Sequence, residues 1–329
     1  MKIKNFLSTL LLCGIISVGF VACSDDDDKD EAKPTPPANT GPSLMKKISE
    51  TEGLDSFVVA ANKIGLNTTL TSTNNITVFA PNNQTFIDLL TSMNANSIEV
   101  LPNQVLEDIL IYHISNSGKF KSADILGTQY ISSIDDSGPE ATNLSIQIIN
   151  NGGSISINGS ATVTKKDIVG GNGVAHVIDK MLKKPTLVDF IKSDARFDSI
   201  RIVLANTNFK YIPDVYKSGK RTLFLPTNEA CATYISNNPA ISKMSKIDLF
   251  TIPSFVGYHS VNAKNTLKSQ MTEGLSLRTE QGGSLTVDLS NGLGLKTANS
   301  AQGTVKIIDT DIQSTSGVLH LVDEVLLYN

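Results

Sequence analysis

The chain contains one pattern twice. Ile76-Thr-Val-Phe-Ala-Pro-Asn-Asn-Gln-Thr-Phe86 recurs as Arg221-Thr-Leu-Phe-Leu-Pro-Thr-Asn-Glu-Ala-Cys231. Tyr112-His113 recurs as Tyr258-His259. Asp167-Ile168, followed by Gly173-Val-Ala-His-Val-Ile-Asp179, recurs as Asp311-Ile312, followed by Gly317-Val-Leu-His-Leu-Val-Asp323. Leu54-Asp55-Ser56-Phe57 echoes Phe197-Asp198-Ser199-Ile200. The offsets are 145, 146, 144 and 143 residues, so one domain has been duplicated with few insertions. All four histidines of the chain fall on matched positions. Whatever the first copy folds into, the second folds into again.

The order of these motifs carries a family resemblance. A Thr-Val-Phe-Ala-Pro-Asn-Asn box, a central Tyr-His and a terminal Gly-Val-x-His-Val-Ile-Asp box, spaced over about 140 residues, resemble the fasciclin-type domain. The resemblance covers residues 43 to 329. It implies an α+β fold in which each of two tandem domains is a wedge-like β-sandwich with helices packed along one side. It also implies adhesion or binding as the activity. Within the shared boxes Pro81, Asn83, His176 and Asp179, matched by Pro226, Asn228, His320 and Asp323, are expected to be structural. In animal members of the family the segment around the Tyr-His pair is tied to cell adhesion. By that resemblance Tyr112, His113, Tyr258 and His259 become candidate ligand contacts.

The residues support the same architecture on their own terms. Ile76 to Phe79 reads as a buried strand that Pro81 stops. Asn82, or Thr227 in the second copy, is placed to cap the helix that follows. Phe86, Leu89, Leu90 and Met93 then share one helical face, matched by Cys231, Tyr234 and Ile235. Pro102 suits the first turn of a further helix whose apolar face is Leu101, Val105, Leu106, Ile109 and Leu110. Leu144, Ile146 and Ile148 alternate with polar residues, as do Ile155 and Ile157 after Asn150-Asn151-Gly152-Gly153, which predicts a hairpin. The second copy offers Leu285, Val287 and Leu289 before Ser290-Asn291-Gly292. The closing strands are Val174 to Ile178 and Val318 to Val322. His176 has the parity of Val174 and Ile178 and is read as a core histidine, and Asp179 and Asp323 as strand-end residues bonding a turn.

The amino terminus adds a location. Lys2 and Lys4 precede an apolar run from Phe6 to Val21, too short for a membrane span of roughly 20 residues and suited to a signal peptide. The run ends in Phe20-Val21-Ala22-Cys23, which resembles the lipobox of bacterial lipoproteins and makes Cys23 the lipid-attachment residue. Ser24 to Glu31 is strongly acidic and resembles a surface-export signal. Residues 32–42 are rich in Pro and read as a tether that, with the acidic run, spans about 25 Å as a flexible coil. The expected organisation is 1–22 signal peptide, 23–42 tether, 43–185 first domain and 186–329 second domain. Removing Lys2 and Lys4 with the leader leaves 26 basic residues against 32 acidic ones, a charge of −6. With no basic stripe, no nucleic-acid partner is expected. Cys13 leaves with the leader and Cys23 is acylated, so Cys231 is the lone remaining cysteine and no internal disulfide forms. It replaces Phe86 on a core-facing helical stripe and reads as an inert buried thiol.

Catalytic, metal and cofactor signatures are missing from the sequence. There is no Gly-x-Ser-x-Gly elbow, no His-Glu-x-x-His and no Cys-x-x-Cys pair. Asp135-Asp136 and Asp309-x-Asp311 are isolated acidic pairs, and Gly170-Gly171-Asn172-Gly173 precedes a β-patterned run and so reads as a turn. The expectation is therefore a non-enzymatic protein without a cofactor. It would be held in the outer membrane by a lipid anchor, face the cell exterior, and bind a protein or glycan ligand at the cell surface. The alternative is an accessory glycan- or partner-binding subunit of an outer-membrane nutrient-uptake assembly.

Overall fold

The computed structural model describes residues 41–205, 219–247 and 252–328. The leader, Cys23 and the acidic run lie outside the described residues.

In the first domain three short helices, α1 (Leu44–Ser49), α2 (Asp55–Lys63) and α3 (Leu66–Ser72), precede strand β1 (Ile76–Pro81). Helices α4 (Asn83–Ser92) and α5 (Asn103–Leu110) follow, then β2 (Ile114–Ser115), β3 (Thr128–Ser132), β4 (Ser145–Asn151), β5 (Ser154–Ile157), β6 (Ala161–Val169) and β7 (Gly173–Ile178). The strands form one continuous sheet in the order β2-β1-β7-β6-β5-β4-β3. The two sheets of the expected wedge are thus one sheet bent upon itself. The bend falls in β6, which pairs with β5 through Ala161 and Thr162 and with β7 from Val163 to Val169. Register shifts interrupt that second pairing, and Asp167 sits there with φ 58°. Such bulges raise local twist and turn a strand.

Strand β1 runs parallel to β7 and is covered on both sides, which is why all six of its residues are buried. Its alternation divides the interior. Ile76, Val78 and Ala80 meet the helices through Leu44, Ile48, Phe57 and Leu106. Phe79 points into the wedge with Ile146, Ile148, Ile155 and Ile157. Asn82 caps α4, its side chain accepting from Thr85 N–H, as expected. Met93 departs from the helical face: α4 ends at Ser92 and Met93 lies 40% exposed.

The second domain repeats the plan. Helices α6 (Leu187–Ser193) and α7 (Asp198–Ala205) lead to β8 (Arg221–Pro226), α8 (Asn228–Ser236), α9 (Ile252–Tyr258) and β9 (Ser260–Asn262). Strands β10 (Ser276–Arg278), β11 (Ser284–Asp288), β12 (Gly294–Lys296), β13 (Val305–Ser314) and β14 (Gly317–Val322) complete it. The sheet order, β10-β11-β12-β13-β14-β8-β9, matches that of the first domain strand for strand. Leu289, expected inside, lies just beyond β11 and is 41% exposed. The closing strand of each domain starts at a glycine for a steric reason. A Cβ on Gly317 would fall 2.1 Å from Arg221 O, and Gly317 has φ 136°.

The domains touch beyond their short link. Thr186, in the link, caps α6 in a reciprocal box with Asp189. Ser145 Oγ on β4 accepts from Gln313 N on β13 at 2.9 Å. Tyr130 on β3 packs edge-on against Phe190 of α6, with ring centroids 5.2 Å apart. Its hydroxyl donates to Asp194 Oδ2 at 2.9 Å. Arg196 holds Asp194 (2.8 Å), reaches Asp309 (3.2 Å) and lies over the Tyr130 ring. This clasp restricts the angle between the domains.

Candidate functional site

The Tyr-His pair of each domain sits where the helix before it turns into the sheet. Tyr112 is completely buried; its hydroxyl donates to Ser145 O at 2.7 Å and accepts from Asn158 Nδ2 at 2.8 Å. His113 is also completely buried. Its Nε2 accepts from Leu182 N–H at 3.0 Å, so Nδ1 carries the proton and donates to Ile109 O at 2.9 Å. Tyr258 and His259 repeat this: Tyr258 donates to Ser284 O and accepts from Ala298 N–H, while His259 joins Phe255 O to Leu326 N–H. Burial lowers both His113 and His259 to about 4, so both rings are neutral at pH 7. The reading of these four residues as ligand contacts is corrected on this ground. Tyr112, His113 and Tyr258 expose no surface and His259 only 2%, and their polar atoms are spent on the fold.

The second pair of histidines is wired with the opposite tautomer. His176 Nδ1 accepts from Asp167 N–H at 3.3 Å and Nε2 donates to Phe120 O at 2.8 Å. His320 does the same between Asp311 N–H and Thr266 O. Both stack on the phenylalanine of the neighbouring strand, Phe79 and Phe224. Burial pushes both below the ordinary histidine value. Asp167 also accepts from Ser122 N–H, and Asp311 from Lys268 N–H, so the bulge residue pins the loop beneath each histidine.

The remaining motif residues also hold the fold. Asn83 Oδ1 accepts from Ser56 N–H, and Asn228 Oδ1 from Ser199 N–H, each at 2.9 Å, tying the first turns of α2 and α7 to the strand-helix corner. Pro81 and Pro226 end β1 and β8 just before that corner. Asp179 accepts from Thr162 N–H and Asp323 from Lys306 N–H; the partner is the adjacent strand, not a turn as expected. Cys231 is buried and its thiol is pushed up to about 12 by desolvation. Asp135 pairs with Lys184 at 2.9 Å, and Asp309 with Arg196. Among the described residues, no group of three or more His, Cys, Asp or Glu gathers as a metal site.

Some organising residues had no signal in the sequence. Asn172, in the turn before β7, is 2% exposed and makes three bonds: it accepts from Leu44 N–H and donates to Leu70 O and Thr73 O. The Tyr130–Asp194–Arg196–Asp309 clasp is another. It borders a cleft of about 390 Å³ between the domains, lined by Tyr130, Ser132, Asn143, Leu267, Asp309 and Asp311 among others. Neither could be anticipated, because each joins residues that share no local pattern.

The fold and its wiring define a two-domain α+β protein whose repeated polar motifs serve architecture. The chain belongs to the fasciclin family: the fasciclin domain matches residues 52–184 and again residues 197–328. It is 26% identical over 266 residues to the transforming growth factor-beta-induced protein ig-h3 of Sus scrofa, covering 76% of this chain and 34% of that one. It is 27% identical over 177 residues to human periostin, covering 52% of this chain and 20% of that one. The chain therefore spans about a third and a fifth of the length of these two curated relatives. Among solved structures it is similar to a FAS1 domain pair from the insect cell adhesion molecule fasciclin I, with TM-score 0.50 and 18% identity, over 87% of this chain and 97% of the other.

Proposed function

We propose that this protein is a lipid-anchored, surface-displayed attachment protein, held by acylated Cys23 and presenting its two fasciclin domains to a protein or glycan ligand. The observation that carries the reading is the pairing of two complete fasciclin domains, docked through the Tyr130–Asp194–Arg196 clasp, in a chain whose fold is shared with the domain pair of a cell adhesion molecule. A restrained pair offers a broad preorganised face, and preorganisation lowers the entropic cost of binding. The reading assigns no catalysis. In support, every ring nitrogen of the four histidines is engaged by backbone groups, so none is placed to activate a nucleophile in this conformation.

Three measurements test the proposal. Protease added to intact cells should cleave the domains, and Cys23→Ala should release the protein from the membrane fraction. A deletion strain should attach less to sister cells or to immobilised matrix proteins and glycans. Protection of the domains in intact cells, with cleavage only after the outer membrane is ruptured, would refute surface display. Undiminished attachment across the panel would refute the adhesive role.

A further inference from the structure

The two domains carry a groove at the same place, and only one of them fills it. In the first domain the groove lies between α4 and the segment after β7. Leu89 and Ser92 form one wall, Met181 and Lys183 the other, and its volume is about 460 Å³. In the second domain the matching residues are Tyr234 and Asn237 on α8 with Val325 and Leu327 after β14, and about 80 Å³ remains. The equivalence is firm, because the residue between the paired wall positions is held identically: Leu182 N–H donates to His113 and Leu326 N–H to His259, each at 3.0 Å.

The second groove is filled by the chain's own Gln302. Its Nε2 donates to Val325 O at 2.8 Å, and its Oε1 accepts from Leu327 N–H at 3.0 Å. Gln302 reaches this position from a longer loop. Between the paired residues Leu295 and Val305 the second domain has nine residues (296–304), where the first has three (158–160) between Ile157 and Ala161. In the first domain the tight turn carries Asn158 inward to Tyr112 instead. The carbonyl of Met181 and the N–H of Lys183, counterparts of the two groups that Gln302 satisfies, have no hydrogen-bond partner among the described residues.

The second domain shows which chemical group fits the pair. One group must give an N–H and take an N–H on the same edge. A primary carboxamide can, because one of its two N–H bonds lies on the side of its oxygen. We propose that the groove of the first domain is a docking site for the side-chain carboxamide of a glutamine or asparagine on a partner polypeptide. The aliphatic part of that side chain would lie on Leu89 and Met181, and Gln302 is its internal counterpart in the second domain. The proposal rests on the reading of the chain as a binding protein and names the partner's chemistry.

The test uses the ¹⁵N-labelled full chain and an octapeptide of the sequence 297–304 (Thr-Ala-Asn-Ser-Ala-Gln-Gly-Thr, acetylated and amidated), with a twin carrying Glu at the Gln position. The Gln peptide should move the Lys183 and Leu182 backbone amide resonances saturably. The Glu twin, which has no N–H to give Met181 O, should bind about tenfold more weakly, as expected when a carbonyl is left unpaired. Leu89→Asp, which sets a charge against the aliphatic part of the docked side chain, should weaken binding by a similar factor while the rest of the spectrum holds. Gln302→Ala should open the second groove, so that the peptide also moves Leu327. An unmoved Lys183 amide at millimolar peptide, equal binding of the two peptides, or unchanged binding to Leu89→Asp would each overturn the proposal. Poor attachment of the deletion strain together with an unmoved Lys183 would remove this inference alone. Normal attachment with Lys183 moving would remove the adhesive reading and keep the groove.

Discussion

The neutral, completely buried His113 and His259 make the stability of each domain depend on pH in a window where carboxylates contribute little. Each ring has a folded value of about 4 against an ordinary 6.5, lowered by burial. The unfolded chain therefore binds protons more readily than the folded one below pH 6.5, so stability falls as pH falls. The contribution is fully present above 6.5, declines between 6.5 and 4, and is lost below 4. At pH 5 the loss relative to pH 7.5 from each of these two rings is about 2 kcal/mol, approaching about 3 kcal/mol near pH 4, and His176 and His320, also lowered by burial, add in the same direction. Urea titrations at a series of pH values should thus give midpoints that drop steeply from pH 7 to 5. His113→Gln keeps one donor and one acceptor without a titrating proton, so it should flatten the slope for the first domain while leaving the second unchanged. A midpoint that stays level from pH 7.5 to 5, or a His113→Gln protein with the original slope, would refute the reasoning.

Two further substitutions probe contacts the sequence did not announce. Arg196→Ala leaves the carboxylate of Asp194, which is completely buried, without its cation; with Arg196 itself 32% exposed, the cost should be roughly 2–3 kcal/mol. Small-angle scattering of that variant should show a broader range of distances between the domains, and an unchanged profile with unchanged stability would show the clasp to be idle. Asn172→Ala removes three hydrogen bonds at once, two of them buried, and should cost about 3 kcal/mol by urea unfolding, with the loss confined to the first domain.

Much of the fold was legible because it depends on local pattern. The duplicated box fixed β1 and β8, the capping roles of Asn82 and Thr227 follow from residue type, and the alternation of Ile146, Ile148, Ile155 and Ile157 placed the hairpin. The Tyr-His pairs show where that legibility ends. A Tyr-His after a helix can face outward or inward, and the deciding partners, Ser145 and Leu182, lie 33 and 69 residues away. The difference in loop length between the copies was visible, but not the direction in which Gln302 turns. The same holds for Tyr130, whose bond to Asp194 crosses 64 residues and two domains.

The parallel pairing of β1 with β7 has a consequence for the order of synthesis. Ile76 lies beside Gly173, and Thr222 beside Val318, so an interior strand of each domain's sheet is the last one made. Until about residue 178 has emerged, β1 lacks its parallel neighbour, which joins it to the rest of the sheet. Long-range pairing of this kind delays folding until the loop has closed. A chain stopped a few residues before Gly317 would lose an interior strand of its second sheet, not an edge, while the first domain would already be whole. Each sheet is therefore complete only once its last strand has been made.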